Sequence, residues 1–555
     1  MKSYYVAAFA AMVLSHFSFG QQEDGIAPYS IRLGLGDQQV PVIYAAPFDA
    51  DAAFADDQQR AAAGLMPLYG RMQFVGATLQ THGLWTDLPN GDRLWRLKIV
   101  SEGALANDLF FDQFHLPPGA LFHVYDPTKE QIHGAFMDKH VQAHGQFTTD
   151  MIFGETCIIE YFEPYAVQGE GHFTLTELSH AYRMVGETSV SDACEVDVNC
   201  SEGSGWEEQR DAVVRIRVVI PEGTGWCSGV LMNNTDQNCR PYILTALHCG
   251  LGSTEANFHQ YLFKFRYQRQ GCITGTVSQG NQMTGCVHRA DSDDDGGEDG
   301  SDFLLVELND TIPFSHTPYY AGWSAANLTV PSGKSIHHPS SDMKKISTFT
   351  SALQTSSWGV NGTHWRVVWS PTENGAGVTE PGSSGSPIFD QDRRVVGTLT
   401  GGASCCVLND CGSFTGPNQP DYYGKLSHHW TGNPNTAEQK LSEWLNPGGG
   451  TTIFDGSYDP CNIGTSVEEN PSSERPEIYP NPSTDGFTVE YPSGIARADL
   501  IEITDLSGRI IFSDTPMTTG KAIFDATAWS AGTYLVNVIA KGVRYAGAKV
   551  TVEGR

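Results

Sequence analysis

The chain has 555 residues and a formal net charge of −30 at pH 7, with 40% hydrophobic and 18% charged residues. That length exceeds a single core and calls for three or four units, and the acidic balance excludes nucleic acid and anionic membrane as partners, because both would repel it. The 59 glycines and 29 prolines, with few long helical patterns, point to an all-β architecture.

Residues 1–20 carry the parts of a signal peptide. Lys2 gives a positive start, Val6 to Leu14 is an apolar run too short to span a membrane, and Ser18 and Gly20 precede a cleavage point at Gln21. No apolar run of spanning length follows, so no transmembrane segment is expected in the mature chain. Residues 21–188 are cysteine-poor. Leu94-Trp-Arg-Leu-Lys-Ile-Val100, Leu121-Phe-His-Val-Tyr125 and Ile158-Ile-Glu-Tyr-Phe162 read as strands of a small β-sandwich. It holds no cluster of catalytic residue types, and its place between a signal peptide and a cysteine-rich region makes it a propeptide.

Residues 189–458 hold most of the 12 cysteines. Short strand patterns recur between turns at Val213–Ile220, Tyr242–Thr245, 303–308 and 395–399, as in barrels or sandwiches. Residues 459–474 read as a linker. Residues 475–555 form a last small β-sandwich, with Ile501-Glu-Ile-Thr-Asp-Leu-Ser-Gly-Arg-Ile-Ile511 and Ala531-Gly-Thr-Tyr-Leu-Val-Asn-Val538 as strands and neither cysteine nor histidine.

Three stretches of the central region carry chemistry. In Leu244-Thr-Ala-Leu-His-Cys249, His248 follows a strand in a small-residue turn. In Gly300-Ser-Asp-Phe-Leu-Leu-Val-Glu-Leu308, Asp302 opens an apolar strand, where a buried carboxylate needs a partner. Gly377-Val-Thr-Glu-Pro-Gly-Ser-Ser-Gly-Ser-Pro-Ile-Phe389 is a tight turn of small residues around Ser384, which lets a substrate carbonyl approach the backbone. Each alone is commonplace; together, in the order His, Asp, Ser, they match one of the convergent nucleophile triads.

On these motifs the central domain resembles the trypsin-like serine proteases, and within them the secreted bacterial lysyl endopeptidases. Cys227-Ser-Gly-Val-Leu-Met-Asn-Asn-Thr235, Ala321-Gly-Trp323, Ile336-His-His-Pro339, Val378-Thr-Glu-Pro-Gly-Ser-Ser-Gly-Ser-Pro387, and Asp421 followed by Tyr423-Gly424 carry the match. The resemblance implies a chymotrypsin-like double β-barrel and a secreted serine endopeptidase that needs no cofactor and no metal. Ser384 would be the nucleophile, His248 the base and Asp302 its orienting partner, with the N–H groups of Gly382 and Ser384 as the oxyanion hole. Asp421 would lie at the base of the substrate pocket and Trp358 beside it, for protein or peptide substrates with Lys, or also Arg, at the cleavage site. Thr400 stands where such endopeptidases can carry a histidine, which leaves Arg open as a second specificity. The competing reading is a catalytically silent surface binding protein on a protease fold.

The resemblance also implies the disulfides Cys194–Cys406, Cys200–Cys272 and Cys227–Cys249. Cys239–Cys286 and Cys405–Cys411 are the expected remaining pairs, with the adjacent Cys405 and Cys406 open to exchange. No Cys-x-x-Cys pair has a matching partner, so a zinc site is not expected. Asp291-Ser-Asp-Asp-Asp-Gly296 matches the start of a calcium loop, yet its twelfth position would be Asp302; a solvated acidic loop is the expected state. Many trypsin relatives activate by pairing a new N-terminus with an Asp just before the nucleophile. Here that position is Ser383, so latency is expected to come from residues 21–188. The last basic residue before Cys194 is Arg183, so maturation needs either acceptance of Arg or a second protease. Tyr479-Pro-Asn-Pro-Ser483, Asp505-Leu-Ser-Gly-Arg509 and the Ala531–Val538 strand resemble the C-terminal sorting domain of type IX secretion. That implies the type IX machinery as a partner, and a product secreted from, or attached to the outer surface of, a Gram-negative cell.

Overall fold

The computed structural model describes residues 26–553 apart from 63–64, 184–190, 407–415, 463–474 and short stretches between 492 and 542. The signal sequence, Cys411 and residues 506–509 therefore lie outside the described residues. The chain divides into one unit that ends at Pro460 and a second that begins at Cys461.

In the first unit, residues 42–181 form two facing sheets. One has the order Val42–Tyr44, Arg93–Val100, Thr156–Glu163, Leu121–Tyr125, Ile132–Phe136, with Leu84–Asp87 beside Arg93–Val100. The other pairs Leu68–Thr78 with His172–Ala181 and the latter with Ala106–His115. Between them lies an aromatic core that includes Trp95, Phe111, Phe122, Tyr161 and Phe173. All three strands expected in this region are present, each within two residues of its expected bounds.

The second of those sheets does not stop at the edge of the N-terminal region. Leu68–Thr78 pairs antiparallel with Gly223–Met232, through Gly223↔Arg71 and Thr224↔Gly70, so one ladder of twelve strands runs from the N-terminal region into the first barrel of the central region. An expectation of a separate N-terminal sandwich beside a double β-barrel misses this, because the junction uses backbone groups of Gly223, Thr224 and Gly225 and no side-chain pattern announces it. Beneath the junction, Arg217 is fully buried and its guanidinium meets Asp108 Oδ1 at 2.6 Å. It also donates to Thr148 Oγ1 and to the carbonyls of Thr149 and Gln260. Tyr69 donates to the other oxygen of Asp108 at 2.7 Å, and Lys264 pairs with Asp150 at 2.5 Å. Arg217 and Lys264 are thus each paired with a carboxylate of the N-terminal region, as burial of a charge demands.

The central region is two β-barrels. In the first, Val213–Ile220 pairs with Gly223–Met232 and Leu262–Phe265, and Tyr242–Thr245 lies between Gly223–Met232 and Leu304–Leu308. In the second the order is Lys345–Phe349, Gly333–His337, Pro387–Asp390, Val395–Gly402, Asp421–Lys425, Asn361–Val367, Gln354–Ser357. The second unit packs a three-stranded sheet with Glu477–Tyr479 at one edge and a four-stranded sheet around Phe487, Ile501, Ile503, Val536 and Val550.

Asp108→Ala leaves Arg217 buried without its counter-charge. Removing one partner of such a pair costs about 3–5 kcal/mol, so the full chain should show a lower denaturation midpoint than wild type, with Lys264→Met less affected. Equal midpoints for wild type and Asp108→Ala would contradict this.

Candidate active site

His248 and Asp302 meet because their strands do. Tyr242–Thr245 and Leu304–Leu308 run antiparallel with Thr245 opposite Leu304. The chain therefore leaves one strand at His248, in the short helix Leu247–Gly250, at the end where it enters the other just after Asp302. Asp302 is fully buried, and His248 is only 7% exposed. Asp302 Oδ1 accepts the backbone N–H of His248 at 2.9 Å, and Oδ2 lies 2.7 Å from Nδ1. Burial alone would push the imidazole toward its neutral form. The Asp302 charge and hydrogen bond, with a smaller contribution from Asp294, outweigh burial and raise its proton affinity above the ordinary histidine value. Burial likewise pushes the Asp302 carboxyl up, and the His248 interaction more than offsets it, so Asp302 stays on the ionised side.

Ser384 comes from the second barrel, in the turn before Pro387–Asp390, and is half-buried. The turn is tied to the first barrel at two points. Ser228 N–H donates to the Ser384 carbonyl at 2.8 Å, and Ser228 Oγ donates to the Gly382 carbonyl at 2.9 Å. Gly385 packs so tightly on Thr245 and Ala246 that a Cβ there would fall 2.0 Å from Thr245 Oγ1. This contact holds the serine turn against the turn that carries His248. Gly382 has φ +99°, outside the range of ordinary L-residues. Neither its N–H nor that of Ser384 donates to another backbone or side-chain group among the described residues.

Ser383 occupies the position where an activation aspartate would sit. Its hydroxyl lies 2.8 Å from His337 Nδ1, and His337 Nε2 lies 2.9 Å from Ser347 Oγ. Burial, helped by Lys345, pushes His337 down to about 3, so this is a neutral chain that braces the loop without a charged N-terminus.

Asp421 starts the strand Asp421–Lys425 and is fully buried. Its Oδ2 accepts Trp369 Nε1–H at 2.6 Å, Ser404 Oγ–H at 2.6 Å and Thr379 Oγ1–H at 2.8 Å, while Oδ1 accepts the Ser404 N–H at 3.1 Å. Burial raises its proton affinity, and these four donors only partly offset that. A methyl at Gly402 would lie 1.8 Å from Oδ1, so the strand must carry glycine there. Trp358, 39% exposed, lies over Gly401. Thr400, at the position singled out in the sequence, is 3.0 Å from Nε2 of the buried His364.

Sequence reasoning missed Trp369, Thr379, Ser404 and His364, which join the expected residues from 17 to 52 positions away along the chain, and Asp294, eight residues before Asp302. Two expectations are corrected. Cys286 is a buried free thiol, so it does not pair with Cys239, which is disulfide-bonded; Cys286 lies in the apolar core of the first barrel. The acidic loop is solvated only in part, since Asp294 is 1% exposed. The sulfurs of Cys194–Cys406, Cys200–Cys272 and Cys227–Cys249 are bonded at 2.04, 1.97 and 1.98 Å.

Residues 188–424 match the family described as lysyl endopeptidase, C-terminal domain. A lysyl endopeptidase of Pseudomonas aeruginosa is 26% identical over 347 residues, which cover 58% of this chain and 71% of the relative. Over this stretch the chain is similar to the lysyl endopeptidases, and it is a serine endopeptidase. Residues 477–553 of this endopeptidase match the secretion system C-terminal sorting domain. It is therefore secreted, or attached to the outer surface of a Gram-negative cell. No helix among its described residues is long and apolar enough to cross a membrane. Among solved structures, the protease Anisep from Arthrobacter nicotinovorans aligns at a TM-score of 0.27 and 14% identity, covering 39% of this chain and 90% of the other. A Glu endopeptidase aligns at 0.25 and 14%, covering 44% and 94%.

The His248 ring should titrate above about 6.5, the ordinary histidine value, when followed by NMR in the Ser384→Ala chain. Asp302→Asn removes the charge that raises it, and the midpoint should fall. An unchanged midpoint in that variant would contradict the assignment.

Proposed function

We propose that this endopeptidase hydrolyses the peptide bond on the carboxyl side of lysine through His248, Asp302 and Ser384. The observation that carries the reading is the doubly bonded His248–Asp302 pair, held by Gly385 and Thr245 against the turn of Ser384. Among the described residues Ser384 Oγ makes no hydrogen bond, including none to His248 Nε2; in this reading its proton passes to that nitrogen during the reaction. Oγ attacks the scissile carbonyl carbon as His248 takes that proton. The Gly382 and Ser384 N–H groups receive the oxyanion. Collapse breaks the C–N bond, His248 protonates the departing amine, and water then repeats the sequence on the acyl-enzyme. Asp302 holds the imidazole in one tautomer and balances its charge.

Asp421 supports lysine over arginine. Its Oδ2 already accepts three donors, and Oδ1 is the oxygen with capacity left. An ammonium needs one carboxylate oxygen and can share hydroxyls such as those of Ser404 and Thr379. A guanidinium gains most from a two-pronged grip on both oxygens, which this arrangement does not offer. Matched peptide amides should show kcat/KM for Lys at least about tenfold above Arg, a difference of about 1.4 kcal/mol. Asp421→Asn should remove most activity on Lys while leaving reaction with small serine-directed reagents. Equal rates on Lys and Arg would overturn the lysine assignment.

Residues 21–188 are in this reading the segment removed on maturation. Met66 Sδ lies 3.6 Å from Cys227 Sγ, in the disulfide whose other half adjoins His248. The uncut chain should hydrolyse no lysyl amide until it is nicked between 182 and 191. Full activity of the uncut chain would contradict latency from this region.

A further inference from the structure

The acidic run Asp291-Ser-Asp-Asp-Asp-Gly296 is not used by the chemistry above, and one of its carboxylates is in an unusual place. Asp293 and Asp295 are exposed, whereas Asp294 is buried. We propose that Asp294 is a positioning residue for the reaction: it clamps the backbone of Asp302 and, through Asp302, sets the orientation of His248.

The contacts define the clamp. Asp294 Oδ2 accepts the N–H of Asp302 itself at 2.8 Å. Its Oδ1 accepts Ser292 Oγ–H at 2.7 Å and the Gly297 N–H at 3.1 Å. Ser292 in turn accepts the Phe303 N–H on its hydroxyl at 3.0 Å and donates its own N–H to the Phe303 carbonyl at 2.9 Å. Both residues at the start of the Asp302 strand are therefore anchored on the loop. Asp302 needs an anchor, because its φ is +60°. That left-handed conformation is uncommon outside glycine and persists only where the surroundings over-determine it.

The same loop covers the back of the pair. Gly296 and Gly297 have φ of +80° and +105°. A Cβ at 296 would lie 2.9 Å from His248 Cβ, and one at 297 would lie 3.1 Å from Asp302 Cβ. The two glycines thus let the loop lie directly on both residues and close them from water. The groups that bear electrostatically on the pair are Asp294 on this loop, His364 on Asn361–Val367, and His429 in the helix Leu426–Thr431. Burial pushes both histidines toward their neutral forms. Burial and the nearby Asp302 charge also raise the proton affinity of Asp294, against the hydrogen bonds it accepts from Asp302, Ser292 and Gly297. Asp294 is therefore the charged member of the three once the pH is above its raised carboxyl range. It adds to Asp302 in raising the proton affinity of His248. A calcium role fits poorly, because both oxygens of Asp294 are taken by donors and both oxygens of Asp302 by His248.

The test uses the matured enzyme. Asp294→Asn keeps the volume but sets an NH2 donor against the N–H of Asp302 or against the donors from Ser292 and Gly297. It should lower kcat by about 10²-fold, the loss a small misplacement produces, with KM within twofold. The acid limb of kcat/KM should move to lower pH. Asp295→Asn, exposed and one residue away, should change neither. Ser292→Ala removes one donor to Asp294 and one acceptor for Phe303 but keeps the charge. It should lower kcat severalfold without moving the acid limb, and it reports on the clamp even if Asp294→Asn is not recovered folded. Wild-type kcat in Ser292→Ala, or an unmoved acid limb in folded Asp294→Asn, would overturn the proposal. So would a rise in the wild-type melting temperature on adding calcium that Asp294→Asn abolishes, since the loop would then be a cation site.

Discussion

A carboxylate with no exposure to water sets the terms for the active end of this molecule. Asp302 can remain ionised only if donors surround it, and two of those donors belong to His248. The antiparallel pairing of Tyr242–Thr245 with Leu304–Leu308 brings them together. Ser228 and Gly385 then tie the Ser384 turn to the same strand ends. The His248–Asp302 pair at two strand ends and the Ser384 turn of the second barrel are thus tied to one another by a few close backbone contacts.

A second buried charge governs the relation between the N-terminal region and the protease. Arg217 and Asp108 satisfy each other across a ladder that the N-terminal strand Leu68–Thr78 completes. Gly223, Thr224 and Gly225 give that ladder a surface that is almost entirely backbone, and an edge of this kind accepts an incoming strand readily. Loss of the N-terminal region would leave both a bare sheet edge and an arginine without its partner. The loop that carries Ser384 does not share this dependence. Its bracing chain of Ser383, His337 and Ser347 is neutral and lies within the protease region.

Much of this was legible from the residues. Val213–Ile220 and Tyr242–Thr245 were expected with the bounds the structure shows, because apolar runs between turn residues mark strands clearly. His248, Asp302 and Ser384 stood out by local context and by order. The shared ladder was not legible, since backbone pairing at Gly223–Gly225 leaves no side-chain signature. Trp369, Thr379 and Ser404 around Asp421 come from 17 to 52 residues away along the chain, and nothing local marks them. Asp294 was hidden by its neighbours, because a run of aspartates looks uniformly solvated until the fold buries one. Cys286 shows the limit of counting cysteines: an even number fits several pairings, and only geometry excluded the one with Cys239.

The central claim is that Ser384 is the residue made nucleophilic by the buried pair. A fluorophosphonate probe followed by peptide mapping of the matured protein tests it most directly. One adduct, on Ser384, is predicted, with its rate falling steeply in His248→Ala. An adduct on Ser383 or Ser386, or none on a folded and matured chain, would contradict the account.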